Sequence, residues 1–259
     1  MIKYAVGFLC FMLTVVSPVR AEQDLPQVKE IGTVAPNVVM IKIAAQRVEN
    51  GKQIPYEENA GDVVDKGQHR FVRRNGKLIG ALAGAEGTVL FTADQLVGEP
   101  LDVQWAMKPE NYRIVSSDDE RFAEGLAPKA VYRKTRPSGY TRTAEATGIA
   151  HEHFLYLTAS KELQAGKHYT VEFQNTRFST TAADFVYDPS ALTSDAVHVS
   201  QIGFEPKDPK VAFLSCWMGD GGGLAYKDGL TFSLIDHKSG EPVFEGKTRL
   251  AKSADQTEA

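Results

Sequence analysis

Apolar positions along this chain alternate with polar ones far more often than they recur at helical spacing. In "NVVMIKIAAQRV" (37–48), Val39, Ile41 and Ile43 share one face and Met40 and Lys42 the other, which predicts a strand. "HRFVRRNGKLIGALAG" (69–84) predicts a hairpin. Asn75-Gly76 suits a two-residue type I′ turn because both residues tolerate positive φ. "GTVLFTA" (87–93) and "LDVQWAM" (101–107) predict further short strands, with at most one helical turn over Ala93–Leu96. "YRIVSS" (112–117), "KAVYRKTRP" (129–137), "HFLYLTAS" (153–160), "HYTVEF" (168–173) and the start of "FVYDPSALTSDAV" (185–197) continue the series between turn-rich loops. No long amphipathic helix and no repeat of 20–50 residues is visible. The pattern predicts an all-β chain of small modules in series.

The segment "LQAGKHYTVEF" (163–173) adds a specific feature. Leu163, Gly166 and Tyr169 have the L-x-x-G-x-x-Y spacing that precedes a strand in many β-sandwiches, where the tyrosine closes a corner. Residues 109–192 therefore resemble a fibronectin-III or immunoglobulin-like sandwich. Residues 36–108 are expected to form a separate small β domain. The polar, proline-containing stretch before them, 22–35, is expected to be a linker.

"VHVSQIGFEPKDPKVAFLS" (197–215) pairs a half-buried alternation at Val197 and Val199 with a glycine break at Gly203. A link with two prolines then leads to an apolar strand. "LTFSLIDHKSGEPVFEG" (230–246) supplies a strand, a turn and another strand. This order resembles the N-terminal immunoglobulin-like domain of family 9 glycoside hydrolases, the cellulases and their relatives. Val197, Val199, Gln201, Gly203, Phe204 and Pro206 match its opening, and Lys210 with "VAFLS" its second strand. Phe232, Leu234, Asp236, Ser239, Gly240 and Val243 match a later strand and turn. Ser200 stands where that family has asparagine, and Phe204 where it has tyrosine. The resemblance implies that residues 193–259 are a partial domain of this kind, whose sandwich and following catalytic domain lie beyond Ala259. Completion by another chain is the rival expectation. The fold class expected overall is tandem β-sandwich modules, the last one incomplete.

The first residues have a different character. Lys3, the apolar "YAVGFLCFMLTVV" and the small or aliphatic Val19 and Ala21 read as a secretory signal peptide over 1–21. The expected location is secreted, periplasmic or at the cell surface, with no membrane span after cleavage. Removal of Lys3 and Arg20 moves the net charge from −4 to about −6. Such a balance argues against nucleic acid as a partner, because phosphate binding needs a basic surface. Of the two cysteines, Cys10 would leave with the signal. Cys216 would remain alone, without an intrachain disulfide or a cysteine-based metal site, and after "VAFLS" it reads as a small buried residue.

Candidate chemistry is sparse. Glycoside hydrolysis needs two carboxylates, roughly 6.5–9.5 Å apart in an inverting enzyme. Asp118-Asp119-Glu120 and Glu57-Glu58 are charge clusters in turn-like surroundings, where solvated loops are expected, and no catalytic residue is assigned. His151 and His153 lie two apart on one strand face, a spacing that can contribute to a metal site if a third ligand joins. Exposed strand-end histidines are the expectation, so no metal or cofactor is assigned. "GDGGG" (219–223) lacks the Gly-Lys-Ser/Thr tail of a phosphate loop and reads as a hairpin loop. The candidates for carbohydrate contact are Trp105, Tyr140 and Trp217, with core packing as the competing role of a strand tryptophan. The expected role is the non-catalytic accessory region of a secreted, cellulase-like, polysaccharide-degrading enzyme. Its expected partners are a catalytic domain of the same protein and a polysaccharide. The alternative is an exported carbohydrate-binding or adhesion protein.

Overall fold

The computed structural model describes residues 25–84, 86–142, 147–191, 194–253 and 256. The signal peptide read over 1–21 lies outside them. Among the described residues no helix is long and apolar enough to cross a membrane. The strands in chain order are β1 (Gln27–Ala35), β2 (Val38–Ala44), β3 (Arg47–Glu49), β4 (Gln53–Pro55), β5 (Asp62–Val64), β6 (Phe71–Arg74), β7 (Lys77–Ala83), β8 (Val89–Thr92) and β9 (Gln95–Val97). One turn of helix, α1 (Val103–Ala106), leads to β10 (Tyr112–Val115), β11 (Ala130–Tyr140), β12 (Ile149–Thr158), β13 (Lys167–Phe173) and β14 (Ala182–Tyr187). The last are β15 (Val197–Val199), β16 (Ala212–Leu214), β17 (Thr231–Ile235) and β18 (Pro242–Lys247).

A four-stranded sheet, β1-β2-β12-β11, faces a three-stranded sheet, β10-β13-β14. In order of use these are the first, second, fifth and fourth strands against the third, sixth and seventh. That is the partition of a seven-stranded immunoglobulin-like sandwich. Its core follows from the alternation. Val39, Ile41 and Ile43 of β2 and Leu155 and Leu157 of β12 meet Tyr112, Ile114, Tyr169, Val171, Phe173, Phe185 and Tyr187 of the other sheet. The Trp105 ring packs edge-on against Phe178 at 5.0 Å.

The tyrosine corner is present. Tyr169, fully buried, donates its hydroxyl to Asp119 Oδ2 at 2.6 Å and accepts from the Gln164 backbone N–H at 2.8 Å. Arg121 binds both oxygens of the buried Asp119, at 2.9 and 2.7 Å. The Arg121 guanidinium holds the Asp119 carboxyl well below the usual carboxylate range, against the upward push of burial and with help from Tyr169. Burial first, then the bond to Asp119, raises Tyr169 to about 12.

Two expected boundaries need correction. Residues 27–35 are not linker: they pair as β1 with β2, and Val34 is buried. The division at residue 108 is also crossed, because β2 pairs with β12 along Val38–Ala44. The sandwich therefore begins before the inserted residues 45–100 and resumes after them. Pairing of strands far apart in sequence leaves no local signature, whereas the insert has a recognisable pattern of its own. It forms a five-stranded sheet, β4-β8-β7-β6-β5, and the β3-β9 ladder. The expected Asn-Gly hairpin joins β6 to β7, with φ of 51° at Asn75 and 82° at Gly76. Asp94 fastens the insert to the sandwich by accepting from Gly51 N and Arg142 N.

Two smaller expectations also change. "LDVQWAM" is not a strand. Asp102 caps α1 by accepting from the Trp105 N–H, which satisfies an otherwise orphaned donor. Conversely, Gln95 and Leu96, expected in a helical turn, lie in β9, whose partner is β3.

Beyond the sandwich, β15 pairs with β16 and β17 with β18, as two separate two-stranded ladders. Asp236 explains the D-x-x-S-G turn: its Oδ1 accepts from the backbone N–H groups of Lys238 and Ser239. Val197 and Val199, expected to be half-buried, are 59% and 57% exposed, because no described element packs across that face of the ladder.

Candidate functional site

The most developed contact outside the sandwich core lies on the outer face of the β1-β2-β12-β11 sheet. The same alternation that sends Val39 and Ile41 inward turns Val38 and Met40 outward, and β12 contributes Phe154 and Tyr156 to that face. A single exposed apolar sheet face would be costly to leave in water. Here residues 216–226 cover it. Cys216, Met218 and Ala196 are buried against Val34, Val38, Met40, Phe154 and Tyr156, with Tyr132, Leu224 and Tyr226 at the margin.

The segment is shaped for close approach. Trp217 bridges Gly223 and Met218 N–H donates to Gly222 O, so "GDGGG" does close a hairpin loop. The loop seats on β11, an edge strand whose outward backbone groups would otherwise be open. Asp220 Oδ1 accepts from the Arg133 N–H at 2.6 Å. Gly219 has φ of 72°, and a Cβ there would stand 2.0 Å from the Arg133 carbonyl oxygen. A Cβ at Gly221 would stand 2.4 Å from the Tyr132 ring. On the far side, the Tyr226 hydroxyl donates to the Val34 carbonyl at 2.8 Å. Burial pushes the Cys216 thiol up, with nearby Lys134 acting in the opposite direction. These features make a docking face between the sandwich and the segment that follows it.

The residues nominated from sequence are dispersed. Trp105 is partly buried in the aromatic cluster with Phe178 and Tyr112. Tyr140, 56% exposed, ends β11. Trp217, 57% exposed, faces away from the sheet because its neighbours Cys216 and Met218 face inward. Among the described residues no ring contact joins these three. The His151 and His153 rings are 6.1 Å apart, and no described group of three or more His, Cys, Asp or Glu could hold a metal ion. His153 is not a surface residue. It is 7% exposed, with Nδ1 3.0 Å from Thr135 Oγ1 and 3.4 Å from Arg133 Nη1. Burial, then the charge of Arg133, then His151, lowers it to about 4. Asp118 and Asp119 serve the fold: Asp118 accepts from Ser116 and from His168 N–H, and Asp119 is part of the tyrosine corner.

The insert carries a shallow cleft of about 780 Å³ lined by residues including Ile54, Tyr56, Arg74, Lys77, Leu90 and Asp94. Two of its polar lining residues, Tyr56 and Arg74, are engaged by a neighbour: Asp62 accepts from the Tyr56 hydroxyl and from Arg74 Nε and Nη2, and Asp94 is used as described above.

Sequence reasoning missed the docking roles of Gly219, Asp220, Gly221 and Tyr226. The available signal was the inward-outward alternation of Cys216, Trp217 and Met218 leading into four glycines within five residues.

Residues 192–259 match the family described as the cellulase N-terminal ig-like domain. The match bears out the resemblance read from Val197 to Val243. It starts just after β14, so the docking face joins the sandwich to the matched segment. No curated protein and no solved structure matches the chain.

Proposed function

We propose that this chain is the non-catalytic N-terminal accessory region of a secreted, cellulase-like, family 9 glycoside hydrolase that degrades polysaccharide. The match of residues 192–259 to the cellulase N-terminal ig-like domain carries this reading. The docking face gives it a physical form: the immunoglobulin-like sandwich is fixed to that segment and helps to hold a catalytic domain of the same protein in place. The partnered carboxylates fit a structural role. Asp62, Asp94, Asp119 and Glu152 are each engaged by arginine, lysine, tyrosine or backbone N–H donors. Export by the N-terminal signal, to the cell surface, periplasm or medium, belongs to the same proposal.

The test is an assay of the full chain on soluble β-glucans for new reducing ends, together with the coding sequence that follows Ala259. No turnover, and a following domain with a paired carboxylate site, is the expected result. Turnover by this chain, or a following series of adhesion modules, would overturn the reading. Exposed Trp217 and Tyr140 favour one alternative, an exported carbohydrate-binding or adhesion protein without catalysis. A pull-down on insoluble polysaccharide combined with the downstream sequence separates the two.

A further inference from the structure

Next to the docked loop, the outer sheet face changes from apolar to cationic. Cross-strand registry places Lys42, Phe154 and Lys134 in one row and Ala44, Glu152 and Arg136 in the next. Lys42 and Lys134 Nζ lie 5.9 and 4.9 Å from the Phe154 ring centroid, and the Arg136 guanidinium carbon 4.8 Å. Three cations thus surround one ring. Among the described residues one carboxylate pairs with them: Glu152 binds Lys42 at 3.2 Å and Arg136 at 2.8 Å, while the charge of Asp195 reaches the neighbouring Tyr156 and Cys216. Lys134, half-buried over Phe154 and also 5.8 Å from the Tyr156 ring centroid, has no carboxylate within ion-pair distance among the described residues.

The fold does not require this arrangement. The aliphatic stem of one long side chain would shield Phe154, and like charges gathered on neighbouring strands repel one another. The chain is acidic overall, so a local excess of cations is a departure that favours an anion at this spot. The cations span two strand spacings, about 10 Å, on an open sheet, which suits an extended ligand better than a small one. They are too few for a polyphosphate against a net-negative chain. The exposed Trp217 stands on the loop whose Gly219 lies against the Lys134 backbone, and offers an aromatic surface for sugar C–H groups.

We propose that the face formed by Lys42, Lys134 and Arg136 binds an acidic polysaccharide, a glycan carrying carboxylate or sulfate groups, with the exposed Trp217 of the adjoining loop as a flanking contact. The proposal rests on the accessory-region reading and names the class of glycan that this region meets.

The experiment is affinity electrophoresis of the full chain in gels containing polygalacturonate, dextran sulfate or neutral hydroxyethylcellulose, at rising salt. Retardation by an acidic polymer is expected, weakening with salt, and at least tenfold weaker in Lys134→Gln and in Arg136→Gln. Arg136 is largely exposed, so its variant separates binding from folding. Trp217→Phe should weaken retention to a smaller degree. Whichever polymer shows the variant-sensitive retardation identifies the group as carboxylate or sulfate. Retardation that neither variant alters, or retention by the neutral polymer alone, overturns the proposal. Reducing-end release by the chain would sink the accessory-region reading while leaving this binding result readable by itself.

Discussion

Gly219→Ala is the sharpest perturbation of the docking face. At φ of 72° an alanine costs about 1 kcal/mol of backbone strain. The larger effect is steric, because the new methyl would stand 2.0 Å from the Arg133 carbonyl oxygen, a backbone atom that cannot swing aside. The loop must lift, and lifting forfeits the charge-assisted bond from Arg133 N–H to Asp220, worth about 1.5–3 kcal/mol. It also exposes Met218, worth another 1.5–3 kcal/mol or so. Part of this survives if the loop shifts rather than detaches, so a fall of about 3 kcal/mol in the opening free energy is expected, close to a hundredfold. Cys216 reports it directly, since its thiol is buried beneath the same loop. Labelling by a disulfide reagent, followed by mass spectrometry of the peptide containing Cys216, should accelerate about a hundredfold while the sandwich stays folded. A rate within threefold of the unsubstituted chain would refute the claim that Gly219 is required for close approach.

Two further outcomes concern the sandwich itself. Tyr169→Phe removes the hydroxyl that joins Asp119 to the Gln164 N–H and should cost about 1.5–3 kcal/mol, read as a lower Tm; a change under about 0.5 kcal/mol would count against the tyrosine corner as a structural tie. His153, lowered to about 4 by burial, binds its proton less readily in the folded chain than in the unfolded one, so stability should fall as pH drops from about 6.5 to about 4 and level off below. The His153 share is roughly 2–4 kcal/mol, and urea titrations at several pH values should show it missing in His153→Gln; an unchanged slope in that variant would assign the effect to other groups.

Much of the sandwich was legible because its information is local. Alternation in β2 separated Val39 and Ile41, which enter the sandwich core, from Met40, which enters the cluster under the docked segment, and Lys42, which lies over Phe154 on the same outer face. Leu163, Gly166 and Tyr169 marked the corner before strand β13. Asn75-Gly76 fixed its hairpin through the backbone freedom of two adjacent residues. The boundary at residue 108 fails through long-range pairing: nothing within Val38–Ala44 says that one of its partner strands, β12, begins at Ile149. The linker expectation over 22–35 fails for a local reason: β1 pairs with β2, next in the chain, but its polar residues and the flanking Pro26 and Pro36 mask the strand. Helix α1 was missed for another reason: the capping role of Asp102 outweighs the strand-like composition of its short run. The docking face was hidden in the same way as the long-range pairing. A glycine-rich loop reads as flexible until the Arg133 backbone and the Tyr132 ring are seen to occupy the space that side chains would need.

The central claim is that the sandwich and the segment matching the cellulase-type domain are held together through residues 216–226. Native-state hydrogen exchange of the Arg133 amide tests it most directly, because that N–H lies on an edge strand and its acceptor is Asp220 across the docking face. A stable dock should leave it protected several thousandfold over the free amide, at the level of the interior β12 amides, and Asp220→Ala should abolish most of that protection. Exchange near the free-amide rate in the unsubstituted chain would contradict the account.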